Sequence, residues 1–354
     1  VSHMGIFTAT GPHAAEFLNT VTTNEVDKLS IGKSHYTYLL APDGSVIDDL
    51  MIYRLGEEDY MLVVNASNND KDWAWLQAVN KQAVCIDEKR PWVKITHPCE
   101  LTDIRAAGER VLIALQGPQA AAVLAKMGGD AGLEKSLKRM GWASLKPMTI
   151  GGYDLIVSRS GYTGERVAYE LFAKPEEVNE LWKALVEAGA TQAGLAARDS
   201  TRTEAGLPLY GHELAGPLGL DPDTACFGMY VKLWKPFFIG REGYIQAYEN
   251  HDLTIVRFQM DDKAVRRPEQ GDPILDKRGK VIGWVTSCAI GEDGYLVGLA
   301  AVPMEYRFLR TKLSIYQTGG GSRELKLPKA LKLGAKMPAP DTATVLSRFP
   351  SRKK

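Results

Sequence analysis

The sequence predicts an α+β protein: an internally duplicated α+β body followed by a small β-barrel or sandwich. Three observations carry that expectation. A strand-like run, a Gly-Pro step and a helical stretch occur twice in that order, as HMGIFTAT then GPHAAEFLNTV from Gly11, and VLIALQ then GPQAAAVLAKM from Gly117. After the first copy, Asp43-Gly44 separates two alternating apolar runs, which is a strong hairpin signal. From about residue 252 the texture changes to short strands split by turns at DKRG (276–279), GEDG (291–294) and TGGGS (318–322), a spacing suited to a barrel or sandwich.

Each element has its own local reason. Proline after glycine is expected in the first helical turn of each copy, where its missing N–H is harmless. Phe17, Leu18 and Val21 make the apolar stripe of the first helix, and Val123, Leu124 and Met127 that of the second. HYTYLLAP (35–42) turns into SVIDDLMIYRL (45–55), which turns at GEED (56–59) into YMLVVNA (60–66). A helix follows over SNNDKDWAWLQAV, with Ser67 as its N-cap. Residues 81–108 lack periodicity and read as a loop or insertion. A helix over 176–188 buries Val178, Leu181, Trp182, Leu185 and Val186 and stops at Gly189. The implied domains are a body of two sub-lobes over 1–250, a barrel over 251–333 and a disordered tail, rich in Pro, Ala, Lys and Arg, over 334–354.

Composition narrows the function. The 354 residues hold 43 Lys plus Arg against 43 Asp plus Glu, so no net field draws the chain to nucleic acid or an anionic membrane. Cys85, Cys99, Cys226 and Cys288 show no C-x-x-C spacing and read as reduced thiols of a cytoplasmic compartment, with no metal site implied. No stretch is apolar enough to span a bilayer. The chain opens with Val1 inside what reads as a mid-domain strand, so a missing start is expected, which leaves a mitochondrial address open.

Asp48 and Asp49 stand side by side in an otherwise apolar strand. Alternation sends them to opposite faces, so at least one points into a core or cavity, where an unpaired carboxylate is costly. An arginine partner or a wet strand edge would explain them equally well. In SGYTGERVAYELF (160–172), Tyr162 lies between glycines and can present its ring to a close ligand, and Glu170 is a second acid in an apolar strand. A carboxylate suits a flat heterocycle edge with adjacent N–H donors; an exposed edge strand is the plainer account. Arg198 and Arg202, four apart in AGLAARDSTRTEAGLPLYGHEL (193–214), share a helix face, so one can pair with a buried acid while the other holds a ligand carboxylate. His212 has no patterned partner and reads as structural.

The blocks VSHMG (1–5), GKSHYTYLL (32–40), DGSVIDDLMIYRL (43–55), LVVNASNNDKDWAWL (62–76), ALQGPQA (114–120), SGYTGERVAYE (160–170), GLAARDSTRTEAGLPLYGHEL (194–214) and PFFIGREG (236–243) occur in order across most of the chain. Together they resemble the T-protein of the glycine cleavage system, the tetrahydrofolate-dependent aminomethyltransferases. The resemblance implies a duplicated α+β folate-binding body with a C-terminal β-barrel domain. It implies tetrahydrofolate as co-substrate and a lipoylated H-protein as the partner that brings the aminomethyl group. Carried over by position, Asp48 is the acid beside N10 of the folate, Tyr36 and Asn65 line the pocket, Glu170 grips the pterin, and Tyr162 and Arg202 stand around it. On this reading Asp48→Asn sharply reduces transfer while folate binding survives. Departures at 215–235, at TSCAIGEDGYL (286–296) and at Val167-Ala168-Tyr169-Glu170 leave two alternatives open. One is a tetrahydrofolate-dependent demethylase of an O-, S- or N-methyl small molecule. The other is a non-catalytic folate-binding protein of the iron–sulfur maintenance type, although Phe237 and Phe238 stand where those relatives carry a cysteine.

Overall fold

The computed structural model describes residues 3–128, 131–317, 332–336 and 341–350. The chain divides into two compact units, one of residues 1–161, 165–192 and 230–245, the other of 162–164, 193–229 and 246–354. The first unit runs β1 (Gly5–Thr10), α1 (Ala14–Val21), β2 (Lys33–Leu40), β3 (Val46–Arg54), β4 (Asp59–Val64), α2 (Asn69–Asn80), β5 (Glu100–Asp103), β6 (Val111–Gln116), α3 (Ala120–Lys126), α4 (Leu133–Arg139), β7 (Leu145–Ile150), β8 (Tyr153–Ser158), β9 (Ala168–Ala173) and α5 (Val178–Glu187). Two antiparallel sheets result, ordered β2-β3-β4-β1-β5 and β6-β9-β8-β7.

Strand alternation gives each sheet two buried faces. Phe7, Leu50, Ile52 and Leu62 meet Phe17, Leu18, Leu76 and Val79 of α1 and α2. Leu155, Val157 and Leu171 meet Leu124, Leu137, Leu181 and Leu185 of α3, α4 and α5. The remaining faces pack on each other through Tyr53, Met61, Val63, Leu112, Leu145 and Phe172. Each such side chain contributes about 1.5–3 kcal/mol on burial, and the result is a helix, sheet, sheet, helix stack in which β3 faces both cores.

The duplication extends to turn geometry. Pro12 and Pro118 sit one residue ahead of the helix N-caps His13 and Gln119, outside the first helical turn where they were expected. The Ala14 N–H donates to Gly11 O and the Ala120 N–H to Gly117 O, both at 3.0 Å. Proline therefore occupies the second position of a β-turn, where its fixed φ fits. Gly11 and Gly117 have φ of +98° and +133°, open to glycine because it has no Cβ.

The stretch 81–108 is not all loop, because β5 pairs with β1 as an edge strand. Its half-exposed ELTD gives little apolar alternation to read. Between β2 and β3 the register slips: Leu39 faces Asp48 and Leu40 faces Val46, leaving Ile47 as an extra residue just ahead of the acid pair. Such a bulge re-aims the side chains beside it.

The second unit holds α6 (Leu195–Glu204), and α7 (Arg241–Asn250) crosses the division. Then come β10 (Leu253–Met260), β11 (Pro273–Leu275), β12 (Val281–Ile290), β13 (Leu296–Pro303), β14 (Lys312–Ile315) and β15 (Asp341–Leu346). These strands close into a barrel in the order β10-β13-β12-β11-β14-β15, filled by Val256, Phe258, Ile274, Val285, Ala300, Leu313 and Val345. The expected disordered tail needs correcting here. β15 pairs with both β10 and β14, and it buries Ala343 and Val345. A short alternating TATV run outweighs the Pro, Lys and Arg around it. The unit also takes in residues 162–164 and 193–229 ahead of the barrel, whose strands start at Leu253. TGGGS (318–322), expected as a hairpin tip, lies outside the described residues. Among the described residues no helix is long and apolar enough to cross a membrane.

Candidate active site

Both strand acids lie in the first unit and are built by β3 and the β4–α2 connection. Asp48 shares its face with Leu50 and Ile52 and is fully buried. It accepts the Asn65 backbone N–H on Oδ2 at 3.0 Å and the Asn65 Nδ2 on Oδ1 at 2.9 Å. Asn68 Nδ2 also donates to Oδ1. Three N–H donors pin this carboxylate in place, and none of it reaches solvent.

Asp49 points the other way, on the face that carries Met51 and Tyr53 towards the second sheet, and it is half-buried. Tyr36 donates its hydroxyl to Asp49 Oδ2 at 2.7 Å, and Asn65 Nδ2 reaches Oδ1 at 2.9 Å. Asn65, expected as a pocket-lining residue, thus bridges the two acids. Burial, and next the neighbouring Asp48 charge, push the Asp49 carboxyl up to about 7; the Tyr36 and Asn65 hydrogen bonds oppose this. The ring of Tyr36 meets those of Tyr38 and Tyr230 edge-on at 5.2 and 4.8 Å, so an aromatic wall stands beside the acid.

A third acid completes the group. Asp72, in the first turn of α2, is fully buried. Burial, then its hydrogen bond to Asp48 and the Asp48 charge, push its carboxyl up to about 10. Nothing in the helical pattern of SNNDKDWAWLQAV marks Asp72 as different from Asp70, which is exposed.

Glu170, half-buried on β9, belongs to the same unit. Its Oε2 accepts the Tyr53 hydroxyl at 2.8 Å and the Ser160 hydroxyl, and Ser158 and Ser160 are linked at 2.7 Å. Two hydroxyls on one oxygen orient the carboxylate and leave Oε1 without a protein donor among the described residues. Tyr53 lies four residues beyond Asp49 on the same strand face, roughly 13 Å at about 3.3 Å per residue.

The remaining candidates lie in the second unit. The Tyr162 hydroxyl donates to Pro208 O, and Arg198 lies 5.9 Å from its ring. Arg202 is 2% exposed and its guanidinium is spent on protein acceptors: Asp199 Oδ1 from Nε at 2.8 Å, Glu213 Oε2 at 2.8 Å and Ser287 Oγ at 2.8 Å. Glu213 is fully buried, so of the two arginines Arg202 is the one that pairs with a buried acid. That fixes a loop and leaves no part of the fork for a ligand. His212 Nδ1 lies 2.9 Å from Thr286 O and 3.2 Å from Ser287 Oγ, a structural setting.

The GCVT N-terminal domain family matches residues 1–235. The aminomethyltransferase of Symbiobacterium thermophilum is 38% identical over 327 residues, covering 90% of this chain and 81% of that one. That of Chloroherpeton thalassium is 35% identical over 320 residues, covering 89% and 81%. Among solved structures, the glycine cleavage system aminomethyltransferase T from Bartonella henselae superposes with a TM-score of 0.77 at 28% identity, covering 98% of this chain and 84% of that one. Nothing in these likenesses favours a demethylase or a non-catalytic folate binder. By family match, by identity and by fold alike, this chain belongs to the glycine cleavage T-protein family and is an aminomethyltransferase.

Proposed function

We propose that the co-substrate is tetrahydrofolate, lying along the Asp49–Tyr53 face of β3, and that a lipoylated H-protein brings the aminomethyl group. The observation that carries this is the spacing of two oriented carboxylates on one face: Glu170 at one end, held through Tyr53, and Asp49 at the other. Glu170 Oε1 accepts N–H groups from the amino-substituted edge of the pterin, while Tyr36 and Tyr230 give its other end an apolar flank. The tetrahydrofolate amine supplies the nucleophile that displaces ammonia from the aminomethyl carbon. Asp49, rather than Asp48, is the acid able to touch the reacting atoms. Its charge, in a half-buried site, stabilises the positive charge that develops there, and Tyr36 and Asn65 hold it in one position beforehand. Asp48 holds Asn65, and Arg202 holds the loop beside Glu213.

Isothermal calorimetry with tetrahydrofolate, followed by transfer from an aminomethyl-lipoyl protein, tests this. Binding and release of ammonia are expected; no heat of binding would end the proposal. Glu170→Gln is expected to weaken tetrahydrofolate at least tenfold, since a hydrogen bond to a charged group contributes about 1.5–3 kcal/mol. Tyr53→Phe, which only frees the carboxylate to turn, should weaken it less. Equal affinities across wild type and both variants would remove Glu170 from the site.

A further inference from the structure

Asp72 has no place yet in this chemistry. It is a fully buried acid whose two oxygens receive no N–H or O–H from any described residue. The side chain it is hydrogen-bonded to is that of Asp48, a fellow carboxylate. The charged groups around it are Asp48 and Asp49 on β3 and Lys71 on its own helix. The Lys71 amine is committed to Ile47 O at 2.6 Å. Two carboxylates in hydrogen-bond contact with no cation between them cannot both be ionised, so the pair must hold a proton.

The bonding pattern says where that proton sits. A carboxylate has about four acceptor positions. Three on Asp48 are taken by Asn65 N–H, Asn65 Nδ2 and Asn68 Nδ2, and all three stabilise its anion. Asp72 has no such donor to stabilise a charge. The geometry points to Asp72 as a permanently neutral carboxylic acid that donates its proton to the last acceptor position of Asp48 and so acts as a positioning residue for Asp49. With four donors Asp48 stays an anion, keeps Asn65 bridged between the acids, and keeps its charge beside Asp49. Asp72 thereby tunes, from behind the strand, the pH at which Asp49 becomes the charged group the reaction needs. The consequence for transfer rests on the tetrahydrofolate reading; the protonation of Asp72 does not.

A carbon-13 NMR titration of the folded protein, labelled at the aspartate carboxyl carbons and assigned through bonds, needs no ligand and no variant. The Asp72 carboxyl is expected to keep the chemical shift of the protonated acid at pH 8, while Asp49 titrates near neutrality. An ionised Asp72 at pH 8 would overturn the inference, whatever tetrahydrofolate does. The second measurement is the pH dependence of transfer. In Asp72→Asn the amide still donates to Asp48, so the acidic limb is expected within a few tenths of a unit of wild type. In Asp72→Ala the donor is gone, Asp48 competes for the proton of Asp49, and the limb moves down by about one unit, a tenfold change in proton affinity. A limb that stays put in Asp72→Ala, or moves equally in both variants, would reduce Asp72 to packing.

Discussion

Replacing Asp49 by asparagine is expected to lower the rate of aminomethyl transfer by about 10²–10³-fold, the usual cost of losing one preorganised group that stabilises transition-state charge. Tetrahydrofolate affinity should stay close to wild type, because the Tyr53-held Glu170 is untouched. The same variant should lose the acidic limb of the rate profile. Burial and the Asp48 charge push the Asp49 carboxyl up to about 7, so the charged form is present above that pH and lost as pH falls through it. Stability runs the opposite way. A folded value above the ordinary one means that the folded protein binds more protons than the unfolded chain in that window, so stability declines as pH rises from about 4 to about 7. Asp49→Asn removes that contribution. Asp48→Asn should behave differently: an amide set against the donors of Asn65 and Asn68 leaves buried groups unmatched, costing about 1–3 kcal/mol, and the loss appears first in urea unfolding. If Asp48→Asn abolished transfer at full stability while Asp49→Asn remained active, the two roles assigned here would be exchanged.

The largest expected loss of stability lies in the second unit. Arg202→Met strands Glu213, a fully buried carboxylate, with, among the described residues, the Leu209 N–H at 3.0 Å and the Ser287 hydroxyl at 2.6 Å as its remaining donors. Breaking a buried ion pair on one side costs about 3–5 kcal/mol. The double variant Arg202→Met with Glu213→Leu should recover much of that loss, since no unpaired charge remains. Urea unfolding of the single and double variants checks this. Equal destabilisation in both would mean that packing, rather than the stranded charge, sets the cost.

What the sequence disclosed and what it hid divide along physical lines. The strand around Asp48 and Asp49, the hairpin at Gly44 and both Gly-Pro turns were legible, because period-2 alternation and backbone-restricted residues are local signals. Which acid faces the ligand was not: alternation places the pair on opposite faces but does not say which face holds the site. The proposal moves the contact from Asp48 to Asp49 because Asn65 and Asn68, arriving from a different element, already donate to Asp48. Asp72 was invisible for a related reason, because a helical D-K-D pattern reads as a solvated surface until β3 is packed beneath it. Arg202 was legible as one of a pair, but its acid partners were not, as Glu213 lies past the end of its helix. β15 was masked by composition, since its pairing partners begin nearly ninety residues earlier for β10 and some thirty earlier for β14.

That long separation bears on how the protein is born. During synthesis β10 emerges early and stands with one bare edge until the segment from Asp341 has cleared the ribosome. Unpaired edges recruit other chains, and such late, distant pairing is slow. The second unit therefore has a vulnerable interval, as does the first, where the outer edge of β1 waits for β5 about as long. A released chain that ends before Asp341 should need a chaperone or aggregate, where one that ends beyond Leu346 stays dispersed.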